Sequence, residues 1–170
     1  MKTQFSKNVA RLLLCFAGLP AVHAATVTAN FSVTATVTSS CSSPSTSALS
    51  FPAYNPLGAT EATATTTVTV TCTNTTPYTV ALNTGTGASA TLSQRKMGLA
   101  GDNTKTLNYN LYTSVAYTSI WGDATSGNVT QAGTGTGSGT TFTVYGRVPS
   151  SQTTAVPGSY SDTITVTIAY

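Results

Sequence analysis

The chain has 170 residues and little charge, with seven Lys and Arg against four Asp and Glu and a formal net charge of +3. Three of the basic residues, Lys2, Lys7 and Arg11, lie in the first eleven positions, so the rest of the chain is formally neutral. A neutral chain with scattered cations has no basic surface for nucleic acid or an anionic membrane, so we expect neither as a partner.

The first 24 residues show the three-part pattern of a secretory signal peptide. The basic positions precede a short apolar run at 12–17, and residues 22–24 (Val-His-Ala) form a small-residue cleavage signal. The run is too short to span a bilayer. We therefore expect removal of residues 1–24 and export of a mature chain of 146 residues, the size of one domain.

The cysteines indicate an oxidising compartment. Cys15 lies in the predicted signal peptide, which leaves Cys41 and Cys72 as an even pair. In an exported chain such a pair most simply forms a disulfide. Closing this ring would stabilise the fold by about 3–4 kcal/mol. The rival, a two-thiolate metal site, lacks further ligands because the only histidine, His23, also lies in the predicted signal peptide. We predict the disulfide, and no metal or cofactor.

The mature chain has the composition and periodicity of β-strands. Thr fills 36 of its 146 positions, and no long apolar stripe with helical spacing occurs. The clearest period-two alternation is at the mature N-terminus. Its apolar positions are Val27, Ala29, Phe31, Val33, Ala35 and Val37.

Further alternating runs follow in chain order and predict an antiparallel sandwich. They lie near residues 65–72, 78–82, 107–111, 142–148 and 160–170, with turn signals at 55–56, 84–87, 101–103, 133–139 and 157–158. We interpret 133–139 as a surface loop. In the last strand, Ile164, Val166 and Ile168 are expected to face the core while the intervening threonines face out.

Catalysis is not expected. A mature chain without histidine lacks the usual general base, and its four acids are far apart in sequence. Asp102 and Asp123 lie beside turn glycines and suit local hydrogen bonds. Asp162 is interpreted as a solvent-facing or ladder residue. We predict no catalytic residues.

Two further pairs of residues have both a structural and a functional interpretation. Arg95 and Lys96 could hold an anion, but we interpret them as a solvated bend. Tyr109 and Trp121 could stack on sugars, but we favour the core.

Six short stretches, taken in their order along the chain, resemble a known protein family. They are residues 49–56 (LSFPAYNP), 95–97 (RKM), 107–112 (LNYNLY), 120–123 (IWGD), 144–149 (VYGRVP) and 157–163 (PGSYSDT). Together with Cys41 and Cys72, they resemble the spore coat protein U family, the subunit domain of archaic chaperone–usher pili. Pro52 departs from the pattern, which has a glycine after the phenylalanine.

The resemblance implies an all-β fold: an incomplete immunoglobulin-like antiparallel β-sandwich completed by a donor strand from another subunit. It implies a donor strand at 25–35 and a pilin domain at 36–170. The donor side chains would be those of Val27, Ala29, Phe31 and Val33. The last strand, with Ile164, Val166, Ile168 and Tyr170, would border the groove and pair with a chaperone.

The function implied is that of a structural subunit of an adhesive surface pilus, supporting cell adhesion and biofilm formation. Its partners would be copies of itself or related pilins, a periplasmic chaperone and an outer-membrane usher, and it would pass through the periplasm to the cell surface. The alternative is a secreted, monomeric binding module, for instance one for carbohydrate. Such a module has no use for a spare alternating strand.

Overall fold

The computed structural model describes residues 23–170, so the predicted signal peptide lies outside the described residues except for its last two positions. The chain divides into two compact units between Thr36 and Val37. Within the described residues there is no helix that could cross a membrane.

The part from Val37 onward consists of nine β-strands joined by turns and loops. These are β1 (Ser45–Thr46), β2 (Ala62–Thr71), β3 (Pro77–Leu82), β4 (Arg95–Leu99), β5 (Asp102–Tyr112), β6 (Gln131–Thr134), β7 (Gly139–Val148), β8 (Tyr160–Ser161) and β9 (Val166–Ala169).

The strands form two antiparallel sheets. One has six strands in the order β1-β2-β7-β5-β4-β8, and the other has three in the order β6-β3-β9. The longest pairing joins β2 to β7 over ten residue pairs, from Ala62 opposite Val148 to Thr71 opposite Gly139. The prediction of an all-β antiparallel sandwich is confirmed.

A single apolar core fills the space between the sheets. Phe142 of β7 meets Tyr78 of β3 and Trp121 edge-to-face, with ring centroids 6.3 and 6.2 Å apart. Trp121 is fully buried, and its indole Nε1 donates a hydrogen bond to the Val80 carbonyl over 2.9 Å. Because Trp121 and Tyr109 are both buried, their predicted core role is confirmed.

The disulfide joins the segment leading into β1 to the end of β2. Cys41 and Cys72 are bonded, with Cα atoms 4.1 Å apart, and face each other as an antiparallel β-bridge. Beside this bridge the Ser42 amide donates to the Thr71 carbonyl over 2.9 Å. The predicted pairing is confirmed.

The sequence interpretation was wrong about part of the segment 133–139. Residues 131–134 form β6 and pair with β3, with Gly133 opposite Tyr78. A methyl group at Gly133 would clash with the Tyr78 ring, so this glycine makes room for an aromatic side chain in the core. The loop is limited to residues 135–138.

Candidate functional site: an open groove beside the last strand

The last strand has an unpaired edge. β9 pairs with β3 on one side and is the final strand of its sheet, so no described residue pairs with its other side. Four residues earlier, β8 is likewise the last strand of the six-stranded sheet and pairs only with β4. Residues 160–169 therefore pass from the six-stranded sheet to the three-stranded sheet, and β8 and β9 each have one unpaired edge.

A groove of about 390 Å³ opens between this segment and residues 46–51. One wall is formed by residues 160–164 and Val166, and the other by residues 46–49 and Phe51. The core side chains that reach into the groove are Val68, Leu82, Met97, Tyr109, Leu111 and Val144. An apolar groove beside an unpaired strand edge can accept an extended segment with apolar side chains on alternate positions.

The wall opposite the last strand rests directly on backbone. Leu49 and Phe51 lie over Gly146 of β7, where a methyl group would come 2.8 Å from Leu49 Cδ1 and 2.9 Å from Phe51 Cζ. Phe51 also meets the Tyr109 ring edge-to-face, with centroids 6.2 Å apart. The absence of a side chain at Gly146 therefore lets this wall sit close to the six-stranded sheet.

The last strand alternates as predicted, but its apolar side chains are only half-buried. Ile164, Val166 and Ile168 pack against the core, while Thr163, Thr165 and Thr167 are exposed. The burial is incomplete because Ile164 and Val166 also line the open groove. Tyr170, also assigned to this strand, lies beyond the end of β9 and is 62% exposed.

A hydrogen-bonded carboxylate fixes the crossing between β8 and β9. Asp162 Oδ1 accepts from the Thr86 amide and hydroxyl over 2.6 and 2.8 Å and from the Thr163 amide over 2.7 Å, and Oδ2 accepts from the Tyr109 hydroxyl over 2.7 Å. Burial, followed by the hydrogen bond to Asp162, raises the pKa of Tyr109 above its ordinary value, so the phenol remains a neutral donor. The interpretation of Asp162 as a solvent-facing or ladder residue was therefore wrong.

Arg95 is buried, which corrects its interpretation as part of a solvated bend. It lies on β4 with no exposed surface. Its guanidinium donates to the carbonyls of Leu82, Asn83 and Trp121 over 3.2, 2.8 and 2.8 Å, and to Asn110 Oδ1 over 2.7 Å. Burial lowers the pKa of Arg95, but an arginine retains its charge. These hydrogen-bond partners are all neutral oxygens of this chain, so Arg95 serves the core and does not form an anion site.

The described part of the N-terminal segment, residues 23–36, contains no β-ladder. The side chains of Val27, Phe31 and Val33 are 93, 86 and 82% exposed, and Ala29 is exposed as well. Three large apolar side chains in water on alternate positions are an unfavourable surface unless a partner covers them.

Comparison with protein families identifies the family of this chain. Residues 27–167 match the family model described as the Spore Coat Protein U domain. The chain belongs to this family. The match confirms the resemblance drawn from the sequence motifs, and it extends over most of the residues that the structure describes. A comparison with curated protein sequences finds no match.

Among solved structures, this Spore Coat Protein U domain is similar to one chain of a CsuC–CsuE complex. That complex is a chaperone–tip adhesion subunit pre-assembly complex from the archaic chaperone-usher Csu pili of Acinetobacter baumannii. The TM-score is 0.56 with 19% sequence identity, and the match covers 79% of this chain and 41% of that chain. At this identity the similarity shows a shared fold.

Proposed function

We propose that this chain is a non-enzymatic structural subunit of a surface pilus, in which each copy fills the groove of a neighbour with its N-terminal segment. The observation that carries the proposal is the unpaired edge of β9 beside an open apolar groove. The same chain carries an exposed segment whose apolar side chains alternate.

The energetics favour filling the groove from another copy. An unpaired strand edge beside half-buried apolar side chains promotes aggregation unless a strand covers it. An added strand would supply main-chain hydrogen bonds along β9 and side chains for the groove. Val27, Phe31 and Val33 would each gain roughly 1.5–3 kcal/mol on burial, and Ala29 less.

The proposed division of the chain follows from this role. Residues 1–24 act as a signal peptide, 25–35 as the donor strand and 36–170 as the pilin domain. The donor segment contains neither Pro nor Gly, so nothing in it interrupts an added strand.

Assembly by this route needs partners before the filament forms. The open groove must be covered during export, so a periplasmic chaperone lends a strand that an incoming subunit later replaces at an outer-membrane usher. The similar solved structure contains a chaperone bound to a pilus subunit, which supports this step. The last strand, with Ile164, Val166, Ile168 and Tyr170, forms the chaperone-binding edge. Other partners are copies of this chain or related pilins, and the finished filament supports cell adhesion and biofilm formation.

Deletion of residues 25–33 tests the proposal, because it removes the donor side chains and leaves the groove intact. The shortened chain should still be purified with its chaperone but should form no filaments on cells. A deletion variant that still forms filaments of normal length would contradict the proposal. A full-length chain that remains a monomer at all concentrations would favour the secreted binding module.

A further inference from the structure

We propose that Asp162 is a positioning residue for the donor strand: its carboxylate holds the wall of the groove in the shape that an incoming strand meets. This inference rests on the proposed function. Asp162 would keep the groove in its binding shape before any strand enters it.

The backbone crossing between β8 and β9 is anchored by contacts outside the two strand pairings. At its β9 end, the Asn83 amide donates to the Thr165 carbonyl over 3.1 Å and the Thr165 amide donates to Asn83 Oδ1 over 2.9 Å. Residues 162–165 lie after the last pair of β8 with β4 and before the first pair of β9 with β3. The same crossing supplies three consecutive residues of the groove wall, Asp162, Thr163 and Ile164. Any movement of the crossing therefore changes the groove.

Asp162 anchors the β8 end of the crossing by joining three separate segments. Thr86 donates from the loop after β3 and Tyr109 donates from the core strand β5, while Thr163 donates from the crossing itself. Hydrogen bonds to an ionised acceptor are among the stronger ones in proteins. Tyr109 also lines the groove and meets Phe51 of the opposite wall. The Tyr109 side chain therefore contacts both walls.

Gly85 shows how closely the loop surrounds this carboxylate. Its φ is +84°, and a methyl group on it would clash with Asp162 Oδ2. A Gly85→Ala change would therefore displace the carboxylate without altering its charge. Gly127 provides a matched control, because its φ is +80° and a methyl group on it would meet no atom within 4 Å. Both changes carry a similar backbone penalty, and only one disturbs Asp162.

The experiment measures capture of a synthetic peptide with the sequence of residues 25–37 by the full mature chain. The chain carries Phe31→Asp to block its own donor segment, and binding is followed by fluorescence anisotropy of the labelled peptide. Thermal unfolding of each variant confirms that it is folded at the temperature used. We expect Gly85→Ala to bind the peptide about tenfold more weakly than the parent, as for loss of a hydrogen bond to a charged group, and Gly127→Ala to bind as the parent does.

Tyr109→Phe provides a second test if Gly85→Ala does not fold. It keeps the ring against Phe51 and removes only the hydroxyl that donates to Asp162, so weaker binding is again expected. Equal binding by Gly85→Ala and Gly127→Ala, or by Tyr109→Phe and the parent, would overturn the role of Asp162. Failure of the parent to bind the peptide would instead contradict the proposed function.

Discussion

The guanidinium of Arg95 donates a hydrogen bond to Asn110 Oδ1 over 2.7 Å, and both side chains are buried. The same guanidinium bonds the carbonyls of Leu82 and Asn83 at the end of β3, while the Asn110 amide donates to the Leu92 and Ser93 carbonyls over 3.1 and 2.8 Å. The pair therefore connects the end of β3 and the entry to β4 with the core strand β5.

Replacing Arg95 by Met should destabilise the fold by roughly 3 kcal/mol or more. The change leaves several buried oxygens without a donor, and each unsatisfied group costs about 1–3 kcal/mol. Urea unfolding of the mature protein measures the loss. Lys96→Met is the control, since Lys96 is the next residue and is only half-buried. Equal loss of stability in the two variants would show that the Arg95 hydrogen bonds contribute nothing particular.

The sequence predicts the faces of the strands well because alternation is a local property. Val68, Val70 and Cys72 lie on one face of β2 and its extension, and all three are buried as their period-two spacing indicates. The same reasoning predicts the alternation in the last strand. It does not predict how much of each side chain is exposed, because exposure depends on whether a neighbouring strand covers it.

The residues that sequence reasoning missed depend on distant partners. Asp162 accepts hydrogen bonds from Thr86 and Tyr109, which are 76 and 53 positions away, and a lone Asp after Ser161 gives no sign of them. Arg95 did carry a signal, since it alternates with Met97 and Leu99 along β4. Because arginine is usually found at the surface, the sequence alone favours a solvated position for it.

Removal of the disulfide should lower stability by about 3–4 kcal/mol, because the unfolded chain regains the freedom of the closed ring. The variant replaces Cys41 and Cys72 together by Ser, so that no free thiol remains. Urea unfolding of this variant, beside the oxidised parent, measures the difference. Since the bridge ties the segment before β1 to the end of β2, an unchanged midpoint would mean that backbone pairing alone holds this segment.

Acid should loosen the loop at residues 123–128. The Thr125 hydroxyl and amide donate to Asp123 Oδ1 over 2.6 and 2.9 Å, and these bonds hold the pKa of Asp123 below its ordinary value of 3.8. A lowered carboxyl pKa stabilises the folded loop above pH 3.8, and this stabilisation is lost as the pH falls through the folded-state value. The Thr125 amide resonance should follow this titration in NMR spectra. An Asp123→Asn variant, which has no carboxyl group at this position, should lose that response, and persistence of the response would contradict the assignment.

Val166→Asp should abolish capture by the chaperone in a pull-down from periplasmic extract. Val166 lines the groove at the start of β9, so a carboxylate there would be desolvated by the strand that the chaperone lends. Thr167→Asp is the matched control, because Thr167 is the next residue of the same strand and is exposed. Equal capture of both variants would show that the chaperone binds elsewhere.

The most direct measurement of the central claim is the display of filaments by cells that carry Phe31→Asp. A carboxylate in the apolar groove of a neighbour would lose the burial of the phenyl ring and add a desolvation cost of roughly several kcal/mol. Asn30→Asp adds the same charge one residue away on the opposite face of an extended strand. Electron microscopy should show normal filaments with Asn30→Asp and none with Phe31→Asp, while both subunits reach the periplasm in equal amounts. Full-length filaments with Phe31→Asp would contradict the donor-strand account.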